Sequence, residues 1–284
     1  MKTDETLQNR SNQRPLAGRC IGISISESAD LASFGFTVEA VNALTVDLAR
    51  RLIALGATVA LGHNWRTGGV MEAVARFALS FKDQSAAAEH PLILNYLAYP
   101  DIPSLSDADS RELATIVDIK FVRWQDQAIS ILETLRHSDS YKGLSNRQDV
   151  GSLLFAHADN IHNGDMRPLE LTALRFVLAQ CCDVLLVIGG RTTGYQGLAP
   201  GIIEEAWWSA CLDKQVVVCT GMGGAATAMT DSDSQQAQEV YKDTAHELAG
   251  AYLRDLNTGR FSAQMAIASN LSAESILMHV TKRK

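Results

Sequence analysis

The stretch DVLLVIGGRTTGYQGLAPGIIEE (residues 183–205) contains the clearest information about the fold. It opens with a continuous apolar run, DVLLVIGG (183–190), which is the pattern of a β-strand buried on both faces of a sheet. Glycine-rich residues follow this strand, and GIIEEAWWSACL (201–212) then has the composition of a helix that begins just after Pro200. A buried strand, a glycine-rich turn and a helix in this order predict an α/β protein.

The same alternation of strand-like and helix-like segments continues along the chain. The predicted strands cover residues 19–26, 57–64, 91–100, 117–124, 183–190 and 215–221. The predicted helices cover residues 37–55, 68–81, 105–115, 125–137, 169–182 and 201–212. Residues 138–170 are predicted as loops around a short helix, and residues 234–284 as helices with a loop near Leu256–Arg260. This order predicts an α/β fold with a Rossmann-like, doubly wound, mostly parallel sheet and helices on both faces.

We predict a single folded domain over residues 18–284, preceded by a flexible tail over residues 1–17. The tail begins MKTDETLQNRSNQRP, which is polar and lacks the apolar segment of a signal peptide. No linker or internal repeat divides the remainder of the chain. Its apolar runs are shorter than the ~20 residues that a membrane span needs. The sequence therefore predicts a cytoplasmic protein without a membrane partner.

The composition favours a small-molecule ligand over a nucleic acid. The formal net charge is −7 and is spread along the chain, whereas a nucleic-acid surface needs a basic stripe. An anionic small molecule remains possible because backbone N–H groups can bind it. The five cysteines are an odd number and show no C-x-x-C spacing, which indicates buried reduced thiols. The histidines lack metal-ligand spacing, so we predict no metal.

Small and polar residues gather at the predicted carboxyl ends of four strands, which is where ligands bind in parallel sheets. The candidate ligand-binding residues at these ends are Ser24, Ser26, Gly62, His63, Asn64, Trp65, Arg66, Gly189, Gly190, Arg191, Gly194, Tyr195, Gly197, Pro200, Gly201, Glu204, Gly221, Gly223 and Gly224. Their convergence at one edge of the sheet predicts a binding site there.

The paired glycines Gly189 and Gly190 can adopt positive φ and carry no Cβ, so a ligand could approach their backbone closely. The helix that begins after Pro200 would direct free N–H groups at a phosphate or carboxylate. Residues 221–224 offer the same features at the next strand, and the two turns together could flank a diphosphate or a nucleoside. A plain tight turn is the alternative interpretation. The glycine spacing fits neither the G-x-G-x-x-G fingerprint nor a Walker loop.

The stretch IGGRTTGYQGLAPGIIEEAWWSACLDKQVVVCTGMGGAA (188–226) resembles the SLOG superfamily, which includes the SMF/DprA proteins and the LOG phosphoribohydrolases. It is most similar to bacterial SLOG modules found beside TIR and other immune effectors, which show a GG…GY.G..PG..EEA block. Residues 44–74 also resemble the early part of such domains. The resemblance implies a Rossmann-like fold that binds a nucleotide or a nucleotide-derived molecule.

In the LOG enzymes the motif is P-G-G-x-G-T-x-x-E, where the glycines hold phosphate and the glutamate helps to break an N-glycosidic bond. Gly189 and Gly190 match the paired glycines, and Glu204 or Glu205 matches the catalytic glutamate. Between them the chain is longer than the LOG loop, and no G-T pair precedes the helix. The resemblance therefore implies ligand binding more directly than hydrolysis.

Several candidate residues have both a ligand-binding and a structural interpretation. A glutamate in the first helical turn also stabilises the helix dipole, and we favour Glu204 over Glu205, which lies a further 100° round the helix. Arg191 could bind phosphate or lie in solvent. Trp65 could stack on a base or cap the sheet edge, with Arg66 reaching phosphate. Tyr195 could close over a ligand or simply pack.

Two further expectations concern residues of the adjacent helices. Arg175 lies in an otherwise apolar helix, so we expect it to be buried beside a carboxylate. Of Trp207 and Trp208 we expect one to pack in the core and the other to lie near the surface or an oligomer interface.

Three functions are compatible with these patterns. The first is a sensor that binds an ADP-ribose or NAD-like molecule in stress or antiphage signalling, as the resemblance implies; it would be a homo-oligomer with an effector protein partner. The second is an N-glycosidase or phosphoribohydrolase that uses Glu204 or Glu205. The third is a scaffold with a vestigial pocket. A nucleotide-type ligand is expected, and no cofactor is required.

Overall fold

The chain folds around one twisted parallel sheet. The computed structural model describes residues 14–62, 65, 69–82, 91–137, 147–160, 164–243 and 246–281. The strands within them are β1 Cys20–Ser26, β2 Thr58–Leu61, β3 Ile93–Ala98, β4 Val117–Val122, β5 Val184–Gly189, β6 Gln215–Cys219 and β7 Met265–Ala268. They lie in the order β4-β3-β2-β1-β5-β6-β7, and every neighbouring pair is parallel. The predicted Rossmann-like α/β fold is confirmed, with a sheet that is parallel throughout.

Helices connect the strands and cover both faces of the sheet. The α-helices in the described residues are α1 Val38–Ala54, α2 Val70–Lys82, α3 Asp107–Leu113, α4 Trp124–His137, α5 Arg147–Asn160, α6 Arg167–Cys181, α7 Gly201–Cys211, α8 Gly224–Ala228, α9 Gln235–Lys242, α10 Glu247–Asn257 and α11 Ala273–Thr281. Short 3-10 helices occupy Leu31–Phe34 and Thr220–Met222.

Helix α1 shows how local sequence fixes these elements. The Thr37 side chain accepts a hydrogen bond from the Ala40 N–H and so caps the first turn. Val41, Leu48 and Leu52 then recur at helical spacing and are buried against the sheet. Gly56 adopts a φ of 95° where the helix ends, a conformation that glycine adopts without steric penalty.

The core consists of two layers, one on each face of the sheet. Side chains of β5 alternate between them: Val184, Leu186 and Ile188 pack with α1, α2 and α11, while Leu185 and Val187 pack with α6, α7 and α10. This alternation explains the continuous apolar run in the sequence, since both faces of the strand are covered.

Three expectations from the sequence need correction. The region predicted as helices and a loop over residues 234–284 contains the strand β7, and the region 138–170 contains the 14-residue helix α5. The predicted tail ends too late, because Leu16 is buried and its N–H donates to the Leu55 carbonyl at 3.0 Å. Residues 1–13 lie outside the described part of the chain.

Trp207 and Trp208 are both fully buried. We expected one of them in the core and the other near the surface, and the second part of this expectation is wrong. Their rings pack edge to face, with centroids 4.8 Å apart, and Phe176 and Tyr252 complete the aromatic cluster. The cluster locks α7 against α6 and α10, which holds the start of α7 in place at the sheet edge.

The sheet order determines where a ligand can bind. From β1 the chain adds β2, β3 and β4 on one side, and then returns to place β5, β6 and β7 on the other. The helices that follow β1 and β5 therefore lie on opposite faces, and a crevice opens between them at the carboxyl ends of these two strands.

Candidate functional site

A cavity of about 700 Å³ lies at this crevice. This volume is within the range of small-molecule sites in proteins. Eight of the predicted site residues line it, namely Ser24, Ser26, Gly62, Arg191, Gly194, Tyr195, Gly201 and Glu205. The structure therefore brings together residues from the ends of β1, β2 and β5, as the sequence predicted.

Of the three carboxylates that line the cavity, those of Glu27, Asp101 and Glu205, only that of Glu205 is buried. Only 9% of the residue is exposed, and its Oε2 atom has no hydrogen-bond partner among the described residues. Burial raises the pKa of the Glu205 carboxyl to about 7, although the Ser24 hydroxyl, which hydrogen-bonds to it, and the Arg175 charge both act to lower it. The cavity thus contains an acid that changes its charge near neutral pH.

Glu204 faces away from the cavity, so the preference for this residue over Glu205 is wrong. It is completely buried, forms an ion pair with Nη1 of Arg175, and accepts a hydrogen bond from Oγ1 of Thr172 at 2.7 Å. Successive residues of a helix are rotated by 100°, and here that rotation directs Glu204 towards α6 and Glu205 towards the crevice. The expectation of a buried Arg175 beside a carboxylate is confirmed.

Arg175 connects α6 to the loop before α7. Besides its ion pair, Nη1 donates to the Ala199 carbonyl at 3.3 Å, and the residue also lines the cavity. A Cβ at Gly197 would collide with the guanidinium, and a Cβ at Gly201 would come within 3.0 Å of Nη2. Gly197 therefore makes room for Arg175 rather than for a ligand, and Pro200 is a buried residue at the amino-terminal cap of α7.

The paired glycines Gly189 and Gly190 do have positive φ, at 66° and 90°, but they are buried and do not line the cavity. A Cβ at Gly189 would lie 2.7 Å from the Ser26 carbonyl oxygen, and a Cβ at Gly190 would collide with Ile202. The Gly190 N–H donates to the Ser26 carbonyl at 2.9 Å. The two glycines thus allow neighbouring segments of the chain to pack closely together. This corrects the prediction that a ligand approaches them.

The second glycine turn, at residues 221–224, does not border the cavity either. Cβ atoms placed on Gly221, Gly223 and Gly224 would contact Leu271, Phe34 and Ser28 respectively. The Gly224 N–H is satisfied by Oδ2 of Asp30 at 3.2 Å. The segment after β1 therefore fills the space in which we expected a second anion-binding turn.

Trp65 is a core residue and not a stacking platform. It is 3% exposed, and its Nε1 donates to Oδ1 of Asn95 at 2.6 Å. His63, Asn64 and Arg66, the other predicted residues of this turn, lie outside the described residues.

Residues 191–199, which we call the glycine loop, lie between the cavity and the helices α9 and α10. Tyr195 donates from its hydroxyl to Oδ2 of Asp243 at 2.9 Å, and its ring packs edge to face on His246, with centroids 5.0 Å apart. Thr192 donates to Oε2 of Glu239 at 2.6 Å. Tyr195 therefore packs as well as lining the cavity, and it ties the loop to the carboxyl-terminal helices.

The polar cavity residues that the sequence interpretation missed include Asn42, Asp101 and Arg167. Nη2 of Arg167 and Oδ2 of Asp101 form an ion pair of 2.9 Å, and Asn42 projects from α1. Asp101 follows the end of β3, so the strand-end rule that found the other residues would also have found it. Arg167 begins α6 in a segment interpreted as a loop, and Asn42 interrupts an apolar helix face, so neither carried a recognisable signal.

The described part of the chain shows no group of three or more His, Cys, Asp or Glu residues that could hold a metal ion. Within the same residues, none of the helices combines the length and the apolar character needed to cross a membrane.

Comparison with known proteins gives one result that covers most of the chain. The family model described as SLOG cluster2 matches residues 15–269. No curated protein matches the sequence.

Proposed function

This chain belongs to the SLOG cluster2 family, and we propose on that premise that it binds a nucleotide-derived small molecule of the ADP-ribose or NAD type. The ligand would lie in the cavity at the carboxyl ends of β1 and β5. Parallel α/β sheets bind nucleotides at such a switch point.

The unpartnered carboxylate oxygen of Glu205 carries this proposal. A buried polar atom without a hydrogen bond is unfavourable, and nearly all such atoms in folded proteins have a partner. Oε2 of Glu205 lacks one although the residue lines a large cavity. A ribose hydroxyl is a suitable donor, and the guanidinium groups of Arg175 and Arg191 in the same cavity suit phosphate.

We further propose that the protein is a sensor, which binds the ligand without consuming it and signals to an effector protein. The resemblance to SLOG modules beside TIR and other immune effectors supports a role in stress or antiphage signalling inside the cell. The hydrogen bonds from the glycine loop to α9 and to Asp243 supply a physical link from the cavity to the carboxyl-terminal helices. A homo-oligomer is part of the same proposal.

Binding can be measured by calorimetry and by thermal unfolding with AMP, NAD and ADP-ribose. A ligand at 100 times its Kd should stabilise the native state by about 2.7 kcal/mol. Glu205→Ala should weaken binding by about 1.5–3 kcal/mol, the typical contribution of a hydrogen bond to a charged group. Glu274→Ala is the matched control, because this glutamate is exposed and does not line the cavity. If no nucleotide stabilises the protein, the cavity is not a nucleotide site and the scaffold alternative is favoured.

A second candidate function is hydrolysis of an N-glycosidic bond, and the raised pKa of Glu205, about 7, favours it. A carboxyl group that titrates near neutral pH can serve as a general acid or base. Glu205 would activate a water molecule or stabilise the positive charge that develops on the ribose ring.

A simple incubation distinguishes the two candidate functions, sensor and hydrolase. The protein is kept with AMP or NAD, and free base is measured by chromatography. A sensor leaves both molecules intact. If base is released, and Glu205→Ala abolishes the release while Glu274→Ala does not, the protein is a hydrolase and the sensor proposal is wrong.

A further inference from the structure

The cavity has two walls of different chemistry, one on each side of the sheet edge. The first wall belongs to the layer of α1 and α2 and carries Val38, Val41, Val70 and Met71. The second wall belongs to α6, the glycine loop and α7. It carries Glu205 and three arginines, at positions 167, 175 and 191. Among the described lining residues, the first wall has no charged side chain.

Two polar side chains interrupt the first wall, and they differ in their hydrogen bonding. Thr45 is buried and its Oγ1 donates to the Val41 carbonyl at 2.9 Å, so its hydroxyl proton is already used. Asn42 is exposed on the cavity side of α1, and its amide has no partner within the described residues. It lies one helical turn after Val38 and on the same face. The wall thus offers apolar surface with a single amide that both donates and accepts.

We propose that this first wall binds a nucleobase and that Asn42 determines which base it is. The inference rests on the proposed function, which it extends from a nucleotide-type ligand to its orientation. A base has apolar faces, which suit the valines and Met71, and a polar edge, which suits Asn42. The ribose would then reach Glu205, and the phosphates would reach the arginines of the second wall.

Adenine is the base that fits Asn42 in this arrangement. Its amino group donates to Oδ1 while a ring nitrogen accepts from Nδ2, a bidentate pairing that asparagine commonly makes with adenine. Adenine is also a base of ADP-ribose and of NAD. Replacing the amide by a carboxylate removes the donor. The carboxylate would face the lone pair of the adenine ring nitrogen, whereas the N1–H and amino groups of guanine would donate to both of its oxygens.

The test measures dissociation constants for AMP, GMP and ribose 5-phosphate with the whole protein. The wild type should bind AMP more tightly than ribose 5-phosphate. Asn42→Leu should weaken AMP binding at least about fivefold and leave ribose 5-phosphate unchanged, while Asn42→Asp should shift the ratio of the AMP and GMP constants towards GMP by about tenfold or more. Asn270→Asp is the matched control, because it adds the same charge on the surface and can still accept the hydrogen bond from the Ser272 N–H.

The outcomes separate this inference from the proposed function. If AMP and GMP bind with the same ratio to the wild type and to both Asn42 variants, Asn42 does not read the base and the inference is overturned, while nucleotide binding stands. Equal affinity for AMP and ribose 5-phosphate would also overturn it, because the base then contributes nothing. If none of the three molecules binds, the proposed function fails and the inference fails with it.

Discussion

Two adjacent glutamates in α7 have different roles, because the 100° rotation between successive helix residues directs them into different surroundings. Glu204 is neutralised by Arg175 and hydrogen-bonded by Thr172, which makes it a structural anion inside the core. Glu205 has its charge opposed by burial and keeps an unpartnered oxygen at the cavity. A glutamate thus stabilises the core at position 204, whereas at position 205 it is a candidate ligand contact.

We expect Glu205→Gln to stabilise the protein at pH 8 and to lose this advantage towards pH 5. Burial raises the pKa of the Glu205 carboxyl from its ordinary 4.5 to about 7, so between these two values the native state holds a proton that the unfolded chain has released. The wild type therefore loses stability as the pH rises from about 4.5 to about 7, by about 3 kcal/mol in all, and the loss is complete at pH 8. Urea unfolding of both proteins at pH 5, 6, 7 and 8 measures the difference, and a difference that does not depend on pH would contradict the assignment.

We expect Arg175→Met to destabilise the protein by about 3–5 kcal/mol, because it leaves the buried Glu204 carboxylate without its partner. Adding Glu204→Gln to this variant should restore part of the loss. Arg51→Met is the control, since Arg51 pairs with Asp47 and Glu274 at the surface, where ion pairs contribute at most about 1 kcal/mol. Equal losses in the two single variants, measured by urea unfolding, would be inconsistent with a buried pair.

At the scale of elements, the glycine-rich turns show what sequence patterns can and cannot reveal. The sequence located the turns after β5 and β6 and indicated their backbone freedom, which the positive φ of Gly189 and Gly223 confirms. It could not reveal what fills the space beside a missing Cβ. Phe34 fills it at Gly223 and Ile202 fills it at Gly190, and the glycine spacing itself indicates neither contact.

We expect alanine at Gly190 and at Gly194 to have different effects although both glycines have positive φ, 90° and 63°. Gly194→Ala should lower the stability by about 1 kcal/mol, because only the backbone conformation opposes the new methyl group. Gly190→Ala should lower it by about 2–4 kcal/mol, because the methyl group also collides with Ile202. Chemical unfolding compares them, and similar values would show that Ile202 moves aside easily.

The differences between the predicted and the observed elements have equally specific reasons. Strand β7 is only the four residues Met265–Ala268 at the sheet edge, with Ile267 exposed, so it lacks the long apolar run of a central strand. Helix α5 was predicted only as a short helix, because it follows a polar stretch and its apolar residues do not form a clear stripe along one face. Short edge strands and weakly amphipathic helices depend on their neighbours, which a pattern search along the chain does not detect.

At the scale of the whole molecule, the cavity is assembled from segments that are far apart in sequence. It lies at the strand ends that the strand-end rule indicated, and the predicted residues Ser24, Arg191 and Tyr195 line it. The choice between Glu204 and Glu205 required the rotational position of α7, which the aromatic packing of Trp207 and Trp208 fixes. The role of Asn42 required knowledge of which helix face borders the crevice.

The link from the glycine loop to the carboxyl-terminal helices can be tested by hydrogen exchange. We expect Tyr195→Phe to accelerate amide exchange about fivefold in residues 191–199 and 235–242, because it removes the hydrogen bond to Asp243, worth about 1 kcal/mol. Tyr241→Phe is the control, since it also removes one hydroxyl hydrogen bond, but one from Asn257 of α10 rather than one made by the loop. Unchanged exchange in α9 would mean that the loop and the helices are not coupled.

The position of β1 at the centre of the sheet has a consequence during synthesis. Its partner β5 lies far downstream in the sequence. For example, the Cys20 N–H donates to Oδ2 of Asp183, which is 163 positions later. At the usual speed of a ribosome, β5 emerges about 10–30 s after β1. During that interval the nascent chain presents an open strand edge that another chain could join. We therefore expect overexpression without chaperones that bind growing polypeptides to favour aggregates.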